Sequence, residues 1–580
     1  MPKISLSQFS GEIPRLISRL LPNTAASYAE NVRLDDGGLT PVRKSRQEHV
    51  FNGISDIKTI FKHGSTWLAW DKVVHAVPGP VATDRLYYTG DGAPKMRVGT
   101  TVYALAVPMP STALTVTVTG SGAGDVITRL YVYTWVTEFG EESEPCPISA
   151  DATWQAGQTV TLSGFAATPT GRGITKQRIY RSQSSNQAGT DLFLIEERTA
   201  STSNYVDTHA PDDFREVLPS MDWNAPPDDL SGLISLPNGM MAAFSGKELC
   251  FCEPYRPHAW PEKYRLTASY PIKALAAYAT TIVAGTEGYP FVASGASPDA
   301  MVEEKIEVNL PCVNVRGMVD LGYSAAYPSN DGLVVVSSSG ANVATDTLFT
   351  RADWQRLSPA NIISAQFSGR YFLSYSYLEI DGETLSEGTM AIDLTGQQPF
   401  VLRYGFKATA FHYDMPTGKL FYALDNVVYE FDAIGQTNEI MTWKSKQFVF
   451  PNPVTLGAIL VESGTLVTPE ERKARLDAIA AITAYNATEF AKDTTGAEIG
   501  GTDMNTFALS ADTMESLPSE KFISVRVYAG GELIRTVNKL DTVQRIKPRN
   551  SRFWEVQVNG SAELEQITLA TTAFEIGGGS

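Results

Sequence analysis

Chemistry in this chain would have to come from its six histidines, its four cysteines or its paired acids. His49, His63, His75, His209, His258 and His412 are scattered, without the close spacing that sets two imidazoles on one helix face to hold a metal. Cys146, Cys250, Cys252 and Cys312 are too few for a disulfide-dense fold. Cys250 and Cys252 flank Phe251 in an expected strand and are read as pointing to opposite faces, too splayed to bridge. His258 and Glu253 are the nearby further ligands, so buried free thiols are expected. The acid pairs are Asp35-Asp36, Asp228-Asp229 and Glu303-Glu304. A glycosidase needs two carboxyl groups about 5–9.5 Å apart across a groove, whereas sequence neighbours on turns face solvent. The phosphate-binding Gly-x-x-x-x-Gly-Lys-Ser/Thr and the zinc-binding His-Glu-x-x-His patterns are missing. Val160-Thr161-Leu162-Ser163-Gly164 lacks the first glycine of a nucleophile elbow. The reading is a non-enzyme, with no catalytic residue, metal or cofactor expected.

What remains is scaffold. Short runs of aromatic and β-branched residues recur from about 223 to 450, each closed by Gly, Pro or Asn-Asp. Examples are Asp331-Gly332-Leu333-Val334-Val335-Val336 and Gly369-Arg370-Tyr371-Phe372-Leu373-Ser374-Tyr375. Strands this short and this regularly punctuated form antiparallel sheets that face each other or repeat around an axis. Residues 51–107 carry more of the same. Between them, residues 108–222 hold a different unit, with strands at Leu130-Tyr131-Val132-Tyr133-Thr134-Trp135-Val136 and at Gln177-Arg178-Ile179-Tyr180-Arg181-Ser182. In strand count, size and motif order this unit resembles a fibronectin-type-III-like sandwich. Residues 451–580 read as a β-rich terminal platform with a helix over about 468–491. Thr468-Pro469-Glu470-Glu471 supplies an N-cap, a first-turn proline and two acids for it. The Gly/Thr/Asp-rich stretch 493–505 reads as an exposed loop.

At 580 residues the chain is too long for one core. Its 43% hydrophobic and 19% charged residues are those of a folded protein. A net charge of −17 repels polyanions, the reverse of a nucleic-acid binder. A secretory signal and a membrane-spanning segment are both read as absent. Residues 1–50 form the one locally basic stretch, an arm carrying Arg15, Arg19, Arg33, Arg43, Lys44 and Arg46. Within it, Pro22-Asn23-Thr24 is expected to start a short helix over 25–31.

Laid in order, these blocks resemble the tail nozzle subunits of short-tailed bacteriophages, the tail tubular protein B family. The resemblance is carried by Phe9-Ser10-Gly11-Glu12-Ile13-Pro14-Arg15, by Glu30-Asn31-Val32-Arg33-Leu34 and by Tyr87-Tyr88-Thr89-Gly90-Asp91-Gly92-Ala93-Pro94-Lys95. Asn238-Gly239, Tyr255-Arg256-Pro257-His258-Ala259-Trp260-Pro261, Trp443-Lys444-Ser445-Lys446-Gln447-Phe448 and Trp554-Glu555-Val556 continue it. It implies a mainly β, multidomain chain. Residues 51–107 and 223–450 would be blades of a β-propeller body, interrupted by the sandwich at 108–222 and followed by the platform. It further implies a homohexameric ring at the tail tip of a virion assembled in the host cytoplasm. The N-terminal arm would dock on the adaptor ring below the portal, with these six basic residues as the candidates. Tail fibres or tailspikes would attach, and genomic DNA would pass through without specific binding. The helix at 468–491 fits no part of the family pattern. The competing reading is a virion-associated protein that binds or depolymerises polysaccharide.

Overall fold

The computed structural model describes residues 2–184, 190–213, 215–378, 384–396, 398–463, 469–492 and 521–577. The chain divides into two compact units. One comprises Met1–Arg46, Met390–Gly405 and Glu430–Ser580, the other Gln47–Thr389 and Phe406–Tyr429.

The second unit is a β-propeller. Its first blade is the hairpin Thr59–His63 and Thr66–Trp70, and its second has four strands from His75–Pro78 to Thr101–Ala104. Four-stranded blades follow from Ser231–Ser235 to Leu266–Thr267, from Ile272–Tyr278 to Val302–Lys305, and from Val319–Asp320 to Gly340–Val343. The sixth blade runs through Ile363–Phe367, Arg370–Leu378 and Thr384–Asp393. The seventh is Ala410–Asp414, Lys419–Leu424 and Val427–Glu430, and it takes Arg46–Val50 as its outer strand. The innermost strands adjoin in chain order, and the seventh meets the first. Between the first and second blades the circle is closed by Val74 N–H donating to Thr59 Oγ1 (3.0 Å) and by the Trp70 and Tyr88 rings 5.5 Å apart. Among the described residues this makes seven blades. Because the last blade is completed by a strand from the start of the unit, the ring cannot open without breaking a sheet.

Each blade must bury both of its faces. Successive side chains of a strand point to opposite sides, so a central strand feeds two cores at once. In Met241–Ser245, Met241 and Ala243 join Cys250, Cys252 and Trp260 against the second blade's Tyr87 and Met96. Ala242 and Phe244 join Leu249 and Phe251 against Ile272, Ile282 and Phe291 of the fourth blade. Ala274, Val283, Tyr327 and Val334 fill the next interface. Strands buried on both faces lose the polar-apolar alternation of a half-exposed sheet and read as continuous apolar runs. Cys250 and Cys252 share one face, contrary to the expectation of opposite faces, because residues two apart on a strand always do. All four cysteines are free and buried. At the turn Asn238-Gly239, Gly239 has φ +77° and a Cβ there would lie 2.6 Å from the Tyr255 ring, so a side chain is excluded twice over.

Inserted after the second blade is the sandwich. Thr115–Thr119, Thr159–Ser163 and Tyr205–Asp207 form one sheet, and Tyr131–Thr137, Ile174–Ser184 and Thr190–Thr199 another. Ala123–Arg129 and Ala152–Ala156 pair separately. Tyr133, Trp135, Val160, Leu162, Ile179 and Phe165 make the core.

The first unit holds both ends of the chain. Lys3–Leu6 pairs with Gln566–Ala570, which also pairs with Ala458–Glu462. Ala26–Glu30 lies between Phe400–Tyr404 and Met441–Ser445, and the sheet continues through Asn550–Gly560, Ile523–Ala529 and Glu532–Val537. The helix expected over 25–31 is thus a strand. Its local signal is a weak N-cap pattern, and the ladder offered by Met441–Ser445 overrides it. The expected helix near 468–491 is present as Pro469–Lys492. Its N-cap Thr468 and the loop at 493–505 lie outside the described residues. Among the described residues no helix is long and apolar enough to cross a membrane.

Burial strips three propeller histidines of their proton affinity. His258 donates from Nε2 to the Glu142 carbonyl (3.1 Å), and burial holds its pKa at about 4. Burial does the same to His75 and His412. In the unfolded chain these imidazoles titrate near 6.5. Their contribution to stability is therefore complete above about pH 6.5 and is lost as pH falls towards 4. Urea midpoints followed by tryptophan fluorescence should drop steeply across that window. His258→Gln should flatten the drop by on the order of 3 kcal/mol, and an unchanged slope would assign the acid sensitivity elsewhere.

Candidate functional site

The six candidate docking residues Arg15, Arg19, Arg33, Arg43, Lys44 and Arg46 do not form one patch. Arg33 and Arg43 both reach Asp432, with Nη1–Oδ2 distances of 3.2 and 3.4 Å, and the Arg43 backbone N–H donates to Asp432 Oδ1 (2.8 Å). Arg46 pairs with the buried Glu430. These three guanidiniums serve the fold of their own unit. Lys44 is fixed by its backbone N–H to the Thr437 carbonyl (2.8 Å) and leaves its side chain exposed. Arg15 and Arg19 are exposed on the segment 14–20, beside Ile17 and Leu20, which are 55% and 62% exposed.

What anchors that segment lies just before it. Glu12 is buried, accepts from Arg403 Nε on both oxygens (2.9 Å each) and takes the Ala29 N–H (2.9 Å). Phe9 meets Trp443 edge-on at 5.0 Å, and the Trp443 indole N–H donates to the Ser10 carbonyl (3.0 Å). Lys444 pairs with Glu555 (2.9 Å) on the strand that faces Trp443. Segments 9–15, 443–448 and 554–556, far apart in the chain, thus share one sheet region.

The propeller axis carries a second candidate, a cavity of about 610 Å³. Inner strands of six blades line it, with Phe61, His75, Asp320, Gln366, His412 and Tyr413 among the contributors. An innermost strand is an edge, and it turns unpaired backbone N–H and C=O groups towards the axis. His412 accepts from the Lys62 N–H at Nε2 (3.4 Å) and packs against Phe61 at 4.8 Å. With both imidazoles uncharged at neutral pH, Asp320 is the wall's titratable carboxylate. Burial raises its pKa, and the Gly322 N–H (2.6 Å) holds one oxygen. The volume lies within the range of about 300–1,000 Å³ usual for small-molecule sites. It is far too small for a duplex, whose major groove alone is about 12 Å wide.

Sequence reading singled out none of these lining residues as a group, because they become neighbours only when seven repeats close. Of the acid pairs, Asp35-Asp36 sits on a turn, where Asp36 Oδ1 accepts the Gly38 N–H (3.1 Å). Asp228 and Asp229 are exposed, with Asp229 accepting from Ser245 (2.7 Å). Glu303 and Glu304 alternate along Val302–Lys305. None of these acids lines the axial cavity. Among the described residues no three His, Cys, Asp or Glu side chains gather as a metal site. The resemblance hairpin has a structural use. Asp91 accepts from Lys95 (2.6 Å) and Lys72 (2.9 Å), which hold its carboxyl below the usual range.

No family model matches the chain, and no curated protein does. Among solved structures it is similar to the extracellular domain assigned to a hybrid two component system of B. thetaiotaomicron. That match has 11% identity and a TM-score of 0.26, covering 70% of this chain and 44% of that one. The Dos1 propeller is similar at 10% identity and a TM-score of 0.26, with 68% and 96% covered. Hsv2 of Kluyvelomyces marxianus is similar at 10% and 0.23, with 54% and 90% covered. This chain therefore spans less than half of that extracellular domain. Likeness at this level carries no argument about function.

Asp432 is the clearest single point of failure in the first unit, since one carboxylate serves two arginines and a backbone N–H. Asp432→Ala should cost about 2 kcal/mol, read as a lowered urea midpoint, while Asp432→Asn should recover part of the loss.

Proposed function

We propose that this chain is a structural subunit of a short-tailed phage tail nozzle, one of six in a ring at the tail tip that conducts genomic DNA during ejection and anchors fibres. The observation that carries the reading is the meeting of its N-terminal motif with the Trp443 and Trp554 segments on one sheet of the first unit. The segments that resemble the family are thus also structural neighbours. The other unit is a propeller interrupted by a sandwich after its second blade, in the order the family pattern implies.

Charge is the physical side of the argument. A conduit for DNA works by not binding it. A subunit at −17 repels phosphate over a Debye length of about 8 Å at physiological salt. The axial cavity is too small for DNA, so the bore of this assembly is formed between subunits. Docking on the adaptor ring falls to Arg15, Arg19 and Lys44, whose side chains are exposed, with Ile17 and Leu20 supplying apolar contact. Arg33, Arg43 and Arg46 are half-buried and pair with Asp432 and Glu430.

Electron microscopy of assembled particles should show this chain as a six-fold ring at the distal tail. Reversing Arg15, Arg19 and Lys44 together to Glu should weaken incorporation about tenfold without lowering the melting temperature. A monomer absent from any particle would overturn the reading. The axial cavity favours one alternative, a polysaccharide-binding or depolymerising tail protein. Release of reducing sugar from host capsule, or glycan binding lost in Tyr413→Ala, would establish that instead.

A further inference from the structure

Radial repetition sets the innermost strands of the propeller running the same way along its axis, so the cavity they enclose has two distinct ends. Where the strands begin, Arg316 crosses between blades. It donates from Nη2 to the carbonyls of Lys58 (2.6 Å) and Thr409, each one residue before the innermost strand of the first or the seventh blade. The Arg316 carbonyl accepts from the Ser364 N–H and Oγ (3.1 Å each), near the start of the sixth blade. One arginine thus ties three blades together at that end. Where the strands finish, the lining residues Asp320, Gly322 and Met415 are exposed. The axial cavity of about 610 Å³ has its mouth there.

The charge on this pocket has one source. Among the described residues no lysine or arginine lines it. Lys62 follows Phe61 in sequence but lays its ammonium over the Trp67 and Phe421 rings (5.4 and 5.1 Å). Asp414 follows Tyr413, accepts from the Thr417 hydroxyl at its own turn (2.5 Å) and is not part of the lining. Burial keeps the His75 and His412 imidazoles uncharged at neutral pH. Asp320 is left as the wall's only charged group. Its Oδ1 accepts the Gly322 N–H (2.6 Å). Part-burial raises its pKa, the Gly322 N–H lowers it, and among the described residues no cation contributes. The other lining residues are uncharged and mostly apolar, Phe61, Leu233, Met318 and Phe411 being the largest contributors.

We propose that the axial pocket binds a small organic ammonium, a protonated amine carried on an apolar body. The ammonium pairs with Asp320 at the mouth, and the body lies against the apolar wall. A carboxylate between low-dielectric walls holds a cation more strongly than the same group in open water. The same carboxylate repels an anion, and a neutral guest gains nothing from its charge. The volume lies in the range usual for small-molecule sites. The proposal stands independently of the nozzle reading, since it concerns the propeller alone and needs no ring.

Isothermal titration of the full chain at neutral pH tests it, with 2-phenylethylamine as the probe. Saturable one-to-one binding is expected. 2-Phenylethanol, which has the same body without the charge, should bind about tenfold more weakly, the value of one charge-assisted hydrogen bond. Ethylamine, which has the charge without the body, should lose at least about tenfold through the apolar surface it leaves unburied. Asp320→Asn keeps an acceptor for the Gly322 N–H, so it should erase the preference for amine over alcohol with the melting temperature unchanged. No saturable heat for 2-phenylethylamine, equal affinity for the alcohol, equal affinity for ethylamine, or a preference that survives in Asp320→Asn would each overturn the proposal. So would tighter binding of phenylacetate or of maltotriose, which would assign the pocket to an anion or to a glycan.

Discussion

The central strands of each blade in this propeller have to be apolar on two sides, and the rest of the larger unit follows from that requirement. A sheet packed between two others has no solvent face, so period-two alternation distributes neighbouring residues to different cores instead of separating core from surface. Met241 and Ala242 are adjacent in sequence and lie in different interblade layers. At roughly 25 cal/mol per Å² of apolar surface, such layers are the main favourable term. They leave polar work to the strand ends and the inner edges, and the axial cavity is lined by those edges.

Closing such a ring demands a strand from elsewhere, and the chain supplies it early. Arg46–Val50 completes the seventh blade before the first has begun. The smaller unit solves a similar problem with its termini. The opening forty residues are not a free arm but sheet strands and turns, pinned by Glu12 to Arg403 and by Phe9 to Trp443. Removing the N-terminus would take two strands out of that unit's sheets. Arg15, Arg19 and Lys44 are exposed, while Arg33, Arg43 and Arg46 meet the carboxylates of Asp432 and Glu430.

The sandwich holds a buried polar network. Its Tyr131, Arg129, Arg181 and Asp207 network replaces part of a hydrophobic layer with charge. Breaking one partner of such a network leaves a buried ion and costs far more than the intact pair contributes.

Local signals in the chain were enough to mark strands, turns and one helix. Gly, Pro and Asn-Asp punctuation delimits the blades because backbone conformation at a turn depends on a few adjacent residues, and Pro469 with its acids sets a helix start for the same reason. The buried thiols were legible from their apolar surroundings. Tertiary structure alone decided what depends on partners remote in sequence. Ala26–Glu30 is a strand because Met441–Ser445 offers it a ladder. Arg43 is structural because Asp432 lies beside it from 389 residues away. Phe61, Asp320 and His412 face one cavity because seven repeats close on an axis. No window of sequence holds those pairings, since the energy that selects them comes from burial and charge compensation between segments that meet only after the chain has folded.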